Sequence, residues 1–231
     1  MKNVNFFNFC LLLSVSMTIA VFNSCSKDDD NKSENTNGNT NDNTNPNGVL
    51  INGVVWAKCN VDEPGAFAAT PESFGMLYQW NRVDSWPITN DVYVNEYWWT
   101  TNPDGITWEK SNDPSPDGWR VPTLDEIKSL LDETKVKNEK FTQNGVLGCK
   151  FTDKATGKSI FLPSVGDRAW NTGRPRNGGY GRYWSSEPNG THSAYILIFH
   201  DNPGSCSFCP HASYMSSDRC YGTSIRPVED K

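Results

Sequence analysis

The chain has 231 residues, 36% of them hydrophobic, and its 27 acidic and 21 basic side chains give a formal net charge of −6. That apolar content is enough for one full core, whereas the acidic balance and the lack of an extended Lys/Arg run exclude a nucleic-acid binder that neutralises phosphates with a basic face. No His-Glu-x-x-His, no Gly-x-Ser-x-Gly, no phosphate-cradling glycine loop and no singled-out carboxylate pair occurs, so no hydrolase or nucleotide site is legible.

At the start, Lys2 supplies a positive region and Leu11 to Phe22 an apolar stretch of secretory-signal length, too short and wrongly flanked for a spanning helix. Ser24-Cys25, preceded by Phe22-Asn23 as a loose lipobox, resembles a bacterial lipoprotein cleavage site. The resemblance implies that Cys25 becomes the lipid-bearing first residue and that the protein meets the membrane through this anchor. Lys27-Asp28-Asp29-Asp30 is similar to the acidic signal that sends lipoproteins of Bacteroidetes-like bacteria to the outer face of the outer membrane. An ordinary cleaved signal with a chance cysteine is the alternative. Loss of residues 1–24 leaves 20 basic and 27 acidic side chains, a net charge of −7.

Residues 25–48 are built almost wholly from Asn, Thr, Asp, Gly, Ser and Lys after the cysteine, with nothing to bury, and read as a disordered tether reaching about 25 Å on average. A single domain follows over residues 49–231. Its clearest helix starts at Thr123 after Pro122, where Glu126 completes a capping box, and Leu124, Ile127, Leu130 and Leu131 form one apolar face, with an end expected near Thr134. Strands are expected over Gly53–Val61, Val146–Thr152, Ser159–Leu162, Tyr183–Ser186, Ala194–Phe199 and Thr223–Val228. Residues 83–116 read as long loops. One helix, several short strands and long loops give an α+β class.

The series Gly53-Val54-Val55-Trp56-Ala57-Lys58-Cys59-Asn60-Val61, Phe74-Gly75 with Tyr78-Gln79-Trp80, Gly118-Trp119-Arg120-Val121-Pro122-Thr123, Phe161-Leu162-Pro163, Tyr183-Trp184-Ser185-Ser186 and Ser224-Ile225-Arg226-Pro227-Val228 resembles the Fibrobacter succinogenes major paralogous domain family. That resemblance implies a C-type-lectin-like fold, shared with the formylglycine-generating enzymes, whose helix start is similar to Arg120-Val121-Pro122-Thr123. It implies cell-surface lipoproteins and carries no settled activity.

Candidate sites follow. Glu187-Pro188-Asn189 resembles the Glu-Pro-Asn of calcium-dependent lectins, and with Asp201 could supply oxygen ligands to calcium; a turn rich in Pro, Asn and Gly explains the same residues without an ion. Cys206, Cys209 and His211 have zinc spacing, but an exported protein oxidises neighbouring thiols, so a disulfide of Cys220 with Cys206 or Cys209 competes with zinc. Cys59 and Cys149 lie in apolar strands and either pair or fill core as thiols. Trp56, Trp80, Trp119 and Trp184 are expected in the core. Trp86, Trp98, Trp99 and Trp108, among loop amides and carboxylates, suit stacking on a sugar or gripping a protein, or else form satellite cores. Arg120 and Arg226 are expected to be structural charges held by acids. The leading function is a non-enzymatic surface module for glycan or protein; the others are a fimbria-associated structural component and a cysteine-dependent oxidase.

Overall fold

The computed structural model describes residues 45–88, 98–176, 178–200 and 211–231. Cys25, Asp201, Cys206 and Cys209 lie outside the described residues, as do the signal and nearly all of the tether. In chain order the elements are β1 (Gly48–Ile51), β2 (Val54–Ala57), β3 (Met76–Tyr78), β4 (Ser85–Pro87), a 3-10 turn (Lys110–Asn112), β5 (Trp119–Arg120), α1 (Leu124–Leu130), β6 (Val136–Gln143), β7 (Val146–Asp153), β8 (Ser159–Pro163), β9 (Asp167–Arg168), β10 (Pro175–Arg176), β11 (Tyr180–Asn189), β12 (Ser193–His200), β13 (Ala212–Asp218) and β14 (Val228–Glu229). One helix among many short antiparallel strands in small sheets is an α+β architecture.

The first strands are joined by Asn52-Gly53 and β6 to β7 by Asn144-Gly145; all four residues have positive φ, which Asn and Gly tolerate and a two-residue hairpin demands. β14 returns to lie between β2 and β5, so the two ends of the domain share one sheet of order β1-β2-β14-β5. Asn45 reinforces this closure by donating to Glu229 Oε1 at 3.0 Å. The sheet end is therefore held by a residue upstream of Val49, within the stretch read as tether.

α1 is capped as its sequence requires. Thr123 Oγ1 accepts from the Glu126 N–H, while Glu126 Oε2 accepts from the Thr123 N–H at 2.8 Å. The helix ends at Leu130, short of Thr134, because Asp132 Oδ1 takes the N–H and hydroxyl of Thr134 and turns the chain toward β6. Arg120 is held by acids as expected, on Glu126 at 2.7 Å and on Asp230 at 3.5 Å.

The central sheet, β11-β12-β13, lies between two cores. Leu197 and Phe199 point into a cluster with Ile51, Trp56, Ile127, Leu130, Phe151 and Tyr183; Ala194, Ile196 and Ile198 point into the other, with Tyr78, Trp80, Val121, Trp184 and Ile225. Burial on both faces explains why β12 reads Ala-Tyr-Ile-Leu-Ile-Phe rather than alternating. Trp56, Trp80, Trp119 and Trp184 are all buried. The Trp80 and Trp184 indoles donate to the carbonyls of Ser185 and Tyr78, whereas Trp56 Nε1 is buried without an acceptor.

Residues 223–228 do not form the continuous strand expected. Thr223 bonds Tyr78, Ser224 bonds Arg182 and Trp184, and only Val228 enters a sheet. Each residue serves a different neighbour, so the stretch fastens separate elements without extending a ladder.

Three arginines complete this stitching from inside. Arg168, Arg219 and Arg226 are 1%, 0% and 0% exposed. Arg226 Nε donates to Asn60 Oδ1 at 2.8 Å and Nη1 to the carbonyls of Ala57 and Lys58. For Arg226, expected to be held by acids, these bonds from Nε and Nη1 run to an amide and to carbonyls. Irregular loops leave carbonyls that no ladder can satisfy, and a guanidinium has five donors in a fixed fork to meet them.

Candidate functional site

The loop-rich segment expected between residues 83 and 116 does form one wall of a surface cleft. Asn81, Arg82, Val83, Asp84, Thr101, Asn102, Pro103, Asp104, Glu109 and Asn112 enclose about 570 Å³. Its shape begins at Asn81, a residue with φ 57 directly after buried Trp80. Asn81 Oδ1 accepts from the Glu109 N–H at 2.8 Å and from Asn112 Nδ2 at 3.2 Å, fixing the 3-10 turn opposite. Trp108 Nε1 ties the same turn by donating to Asn112 O, and its ring meets Trp80 edge-on at 5.3 Å.

Trp99 does not line this space but stands against two residues that do, Arg82 and Asp84. Gln79, 1% exposed, donates to the Trp99 carbonyl and accepts from its N–H. The indole N–H donates to Asp84 Oδ2 at 3.2 Å, and the Arg82 guanidinium lies 4.3 Å from the ring centroid, covering one face. The ring is nevertheless 47% exposed. Beside it stand carboxylates, amides and one guanidinium, a set that offers acceptors and donors to hydroxyl groups, with a preset aromatic surface for the apolar face of a ring.

Arg219 braces the site from below. Its forks donate to Gly105 O at 2.8 Å, Gly190 O at 2.7 Å and Ser193 O at 3.2 Å, and its guanidinium lies 4.1 Å from the Trp80 ring centroid. The cleft loop and the turn between β11 and β12 are thus held by one side chain.

Of the four loop tryptophans, Trp99 alone is well exposed, and it touches the cleft through Arg82 and Asp84. Trp98 and Trp108 are 8% and 9% exposed and cannot stack on a ligand; Trp98 donates to Trp170 O, and half-buried Trp86 packs edge-on against it at 5.7 Å. This is the satellite-core arrangement, with one ring left outside. Glu187 and Asn189 lie within β11 and not in a turn: Pro188 pairs with Ala194 and Asn189 with Ser193, and the turn is residues 190–192. Asp201, their third calcium candidate, is outside the described residues. Among the described residues no group of three or more His, Cys, Asp or Glu side chains gathers as metal ligands.

Cys149 is a buried residue of β7, whereas Cys59, expected in a strand, is buried in the bend after β2, and no disulfide joins any two of the described cysteines. Cys220 is 3% exposed, and its Sγ lies 3.4 Å from Asn102 Oδ1 in the cleft wall. The expected partners Cys206 and Cys209 lie outside the described residues, as do the thiolates proposed to join His211 on zinc. Burial, with Asp218 adding its charge and a hydrogen bond, pushes the Cys220 thiol up to about 12. A raised acid pKa favours the native state below the unfolded value near 9, and the advantage is lost as pH rises through 9 toward 12. Folded protein at pH 8 should therefore alkylate Cys220 far more slowly than protein in denaturant, as read by mass spectrometry; equal rates would contradict the burial.

A second hollow, of about 480 Å³, lies beyond the 3-10 turn among Trp108, Asp113, Trp119, Arg120 and Asp230. Its charged groups engage one another: Arg120 binds Glu126 and Asp230, and Asp113 accepts from the N–H groups of Ser115 and Val121. It offers a ligand fewer open partners than the Trp99 cleft, where Asp104 and Glu109 have no ion pair among the described residues.

Comparison of the chain with family models, with curated proteins and with solved structures finds no match in any of the three. Sequence reading reached Trp99 through its loop composition. It missed Arg82, Asp84, Asn102 and Glu109, whose one signal is that Asn81-Arg82-Val83-Asp84 follows the apolar run ending at Trp80.

Proposed function

We propose that the domain is a C-type-lectin-like binding module, non-enzymatic, displayed by a lipidated Cys25 and a polar tether on the outer face of an outer membrane, and that it binds glycan in the Trp99 cleft. The fold assignment is supported by terminal strands that share one sheet and by a central three-stranded sheet between two cores. The observation that carries the ligand choice is the half-exposed Trp99 ring, pinned through its N–H by Asp84 and backed by Arg82, beside a polar cleft. A pinned ring loses little side-chain freedom when a sugar stacks on it, so the contact adds to affinity nearly in full.

The raised pKa of Cys220 weighs against a cysteine oxidase, which needs a thiolate. A panel of neutral saccharides, with and without calcium, applied to the full chain tests the reading. Binding that Trp99→Ala weakens about tenfold or more is expected. Absence of binding to any saccharide, or binding indifferent to Trp99→Ala, would overturn it, and capture of a protein partner through the same ring would replace glycan with protein.

A further inference from the structure

Four of the eight arginines, Arg168, Arg174, Arg176 and Arg182, fall within fifteen residues that contain no acid, directly after Asp167. In a chain of net charge −6 this is a local reversal of sign, and β9 and β10 fold it into a hairpin. Asp167 is fully buried; both its oxygens hold Arg176, at 2.6 and 2.7 Å, and Oδ2 also takes Arg182 at 2.8 Å. One carboxylate thus serves two guanidinium groups and leaves an excess positive charge.

The excess is held rigidly and faces outward. The Arg176 side chain is 43% exposed, and its Nη1 takes no part in the bidentate pair with Asp167. Tyr221 lies under both guanidinium groups, 4.9 Å from that of Arg176 and 5.6 Å from that of Arg182, and Tyr180 lies 5.2 Å from that of Arg182. Arg182 Nε is buried without an acceptor. Arg168 locks the hairpin from inside by donating to Pro87 O and Gly173 O. The hairpin loop carries Trp170, 45% exposed, whose carbonyl is fixed by the buried Trp98 indole at 2.9 Å.

We infer that this hairpin is a second binding subsite, for the acidic group of an anionic glycan: a uronate carboxylate, or a sulfate on the sugar, bound by Arg176, with the exposed Trp170 of the hairpin loop offered to the sugar. A planar, pre-oriented guanidinium is suited to such an anion because the ordering of its side chain is already complete. The choice of a sugar as carrier rests on the glycan reading of the Trp99 cleft, to which the hairpin is tied twice. Trp98 anchors the hairpin and precedes Trp99; Cys220 contacts Asn102 in the cleft and precedes Tyr221.

The test is titration of the full chain with polygalacturonate, with dextran sulfate, with neutral dextran and with a single-stranded DNA oligomer, at low and high salt. Binding of an acidic polysaccharide, weakened by salt and about tenfold by Arg176→Gln, is expected; the uronate and sulfate arms tell which anion is preferred. If Arg176→Gln fails to fold, as thermal melting would reveal, the exposed Trp170→Ala carries the same expectation. Unchanged acidic-glycan binding in the folded variants overturns the subsite. If saccharides still bind in a Trp99-dependent manner, the cleft reading survives that failure; if none binds, both fall. Oligonucleotide binding as tight as that of the acidic polymers, with the same sensitivity to Arg176→Gln, overturns the glycan as carrier.

Discussion

Arg226→Met should cost about 3 kcal/mol or more, because it removes a buried donor set and strands the carbonyls it served. Arg226 joins Asn60 Oδ1 to the carbonyls of Ala57 and Lys58, and Asn60 Nδ2 in turn donates to Phe74 O. The link therefore runs from the C-terminal segment through the exit of β2 to the entry of β3. Methionine matches the stem and not the fork, so hydrophobic volume is largely kept and the loss isolates hydrogen bonding. In a domain of this size the melting midpoint should fall by roughly 6–12 °C. Lysine should rescue little, since one ammonium cannot span the Asn60 and carbonyl positions with the geometry of a guanidinium. A midpoint within about 2 °C of wild type would show that these carbonyls find other partners.

The second large effect is expected from Trp80→Ala, at about 4 kcal/mol. Trp80 is fully buried, donates to Ser185 O at 3.0 Å, meets Trp108 edge-on and supports the Arg219 guanidinium. Truncation leaves a cavity, an unserved carbonyl and a displaced Trp108 at once. Because Trp108 and the neighbouring Asn81 hold the 3-10 turn, the cleft should lose its wall, and saccharide binding should weaken even at temperatures where the variant is folded. Trp80→Phe keeps much of the ring packing and loses the indole donor, so its cost should be smaller, about 1–2 kcal/mol. Calorimetry of the two variants together separates cavity from hydrogen bond; equal losses would assign the whole effect to the Ser185 bond.

Local signals carried much of the fold. The Thr123–Glu126 capping box and the strands at Val146–Asp153 and Ser159–Pro163 follow from spacing within a few residues, and all are present. The strands hardest to read, β6 and β13, bear mainly half-buried or exposed residues such as Lys137, Lys140, Tyr214 and Met215, so no apolar period marks them. Residues 223–228 read as a strand because Thr223, Ile225 and Val228 are β-branched, yet their partners are separate elements, which only tertiary structure selects.

The site was legible in composition and not in geometry. Trp98, Trp99 and Trp108 share the same kind of loop sequence, and what separates them is the fixing of the Trp99 backbone by Gln79, twenty residues upstream, while its neighbour turns inward to the hairpin. Net charge hides a local reversal of sign: four arginines after one aspartate are averaged away in a total of −6. Burial of that aspartate is what turns a scattered charge count into a preset pair of guanidinium groups.

The most direct measurement of the binding claim is a titration of the full chain with the best saccharide of the neutral panel, followed at the indole N–H resonances by NMR, with Trp99→Phe used to assign the Trp99 signal. The account predicts a saturable shift of the Trp99 resonance, with those of buried Trp80 and Trp184 unmoved. Saturable binding that leaves Trp99 unshifted would contradict it.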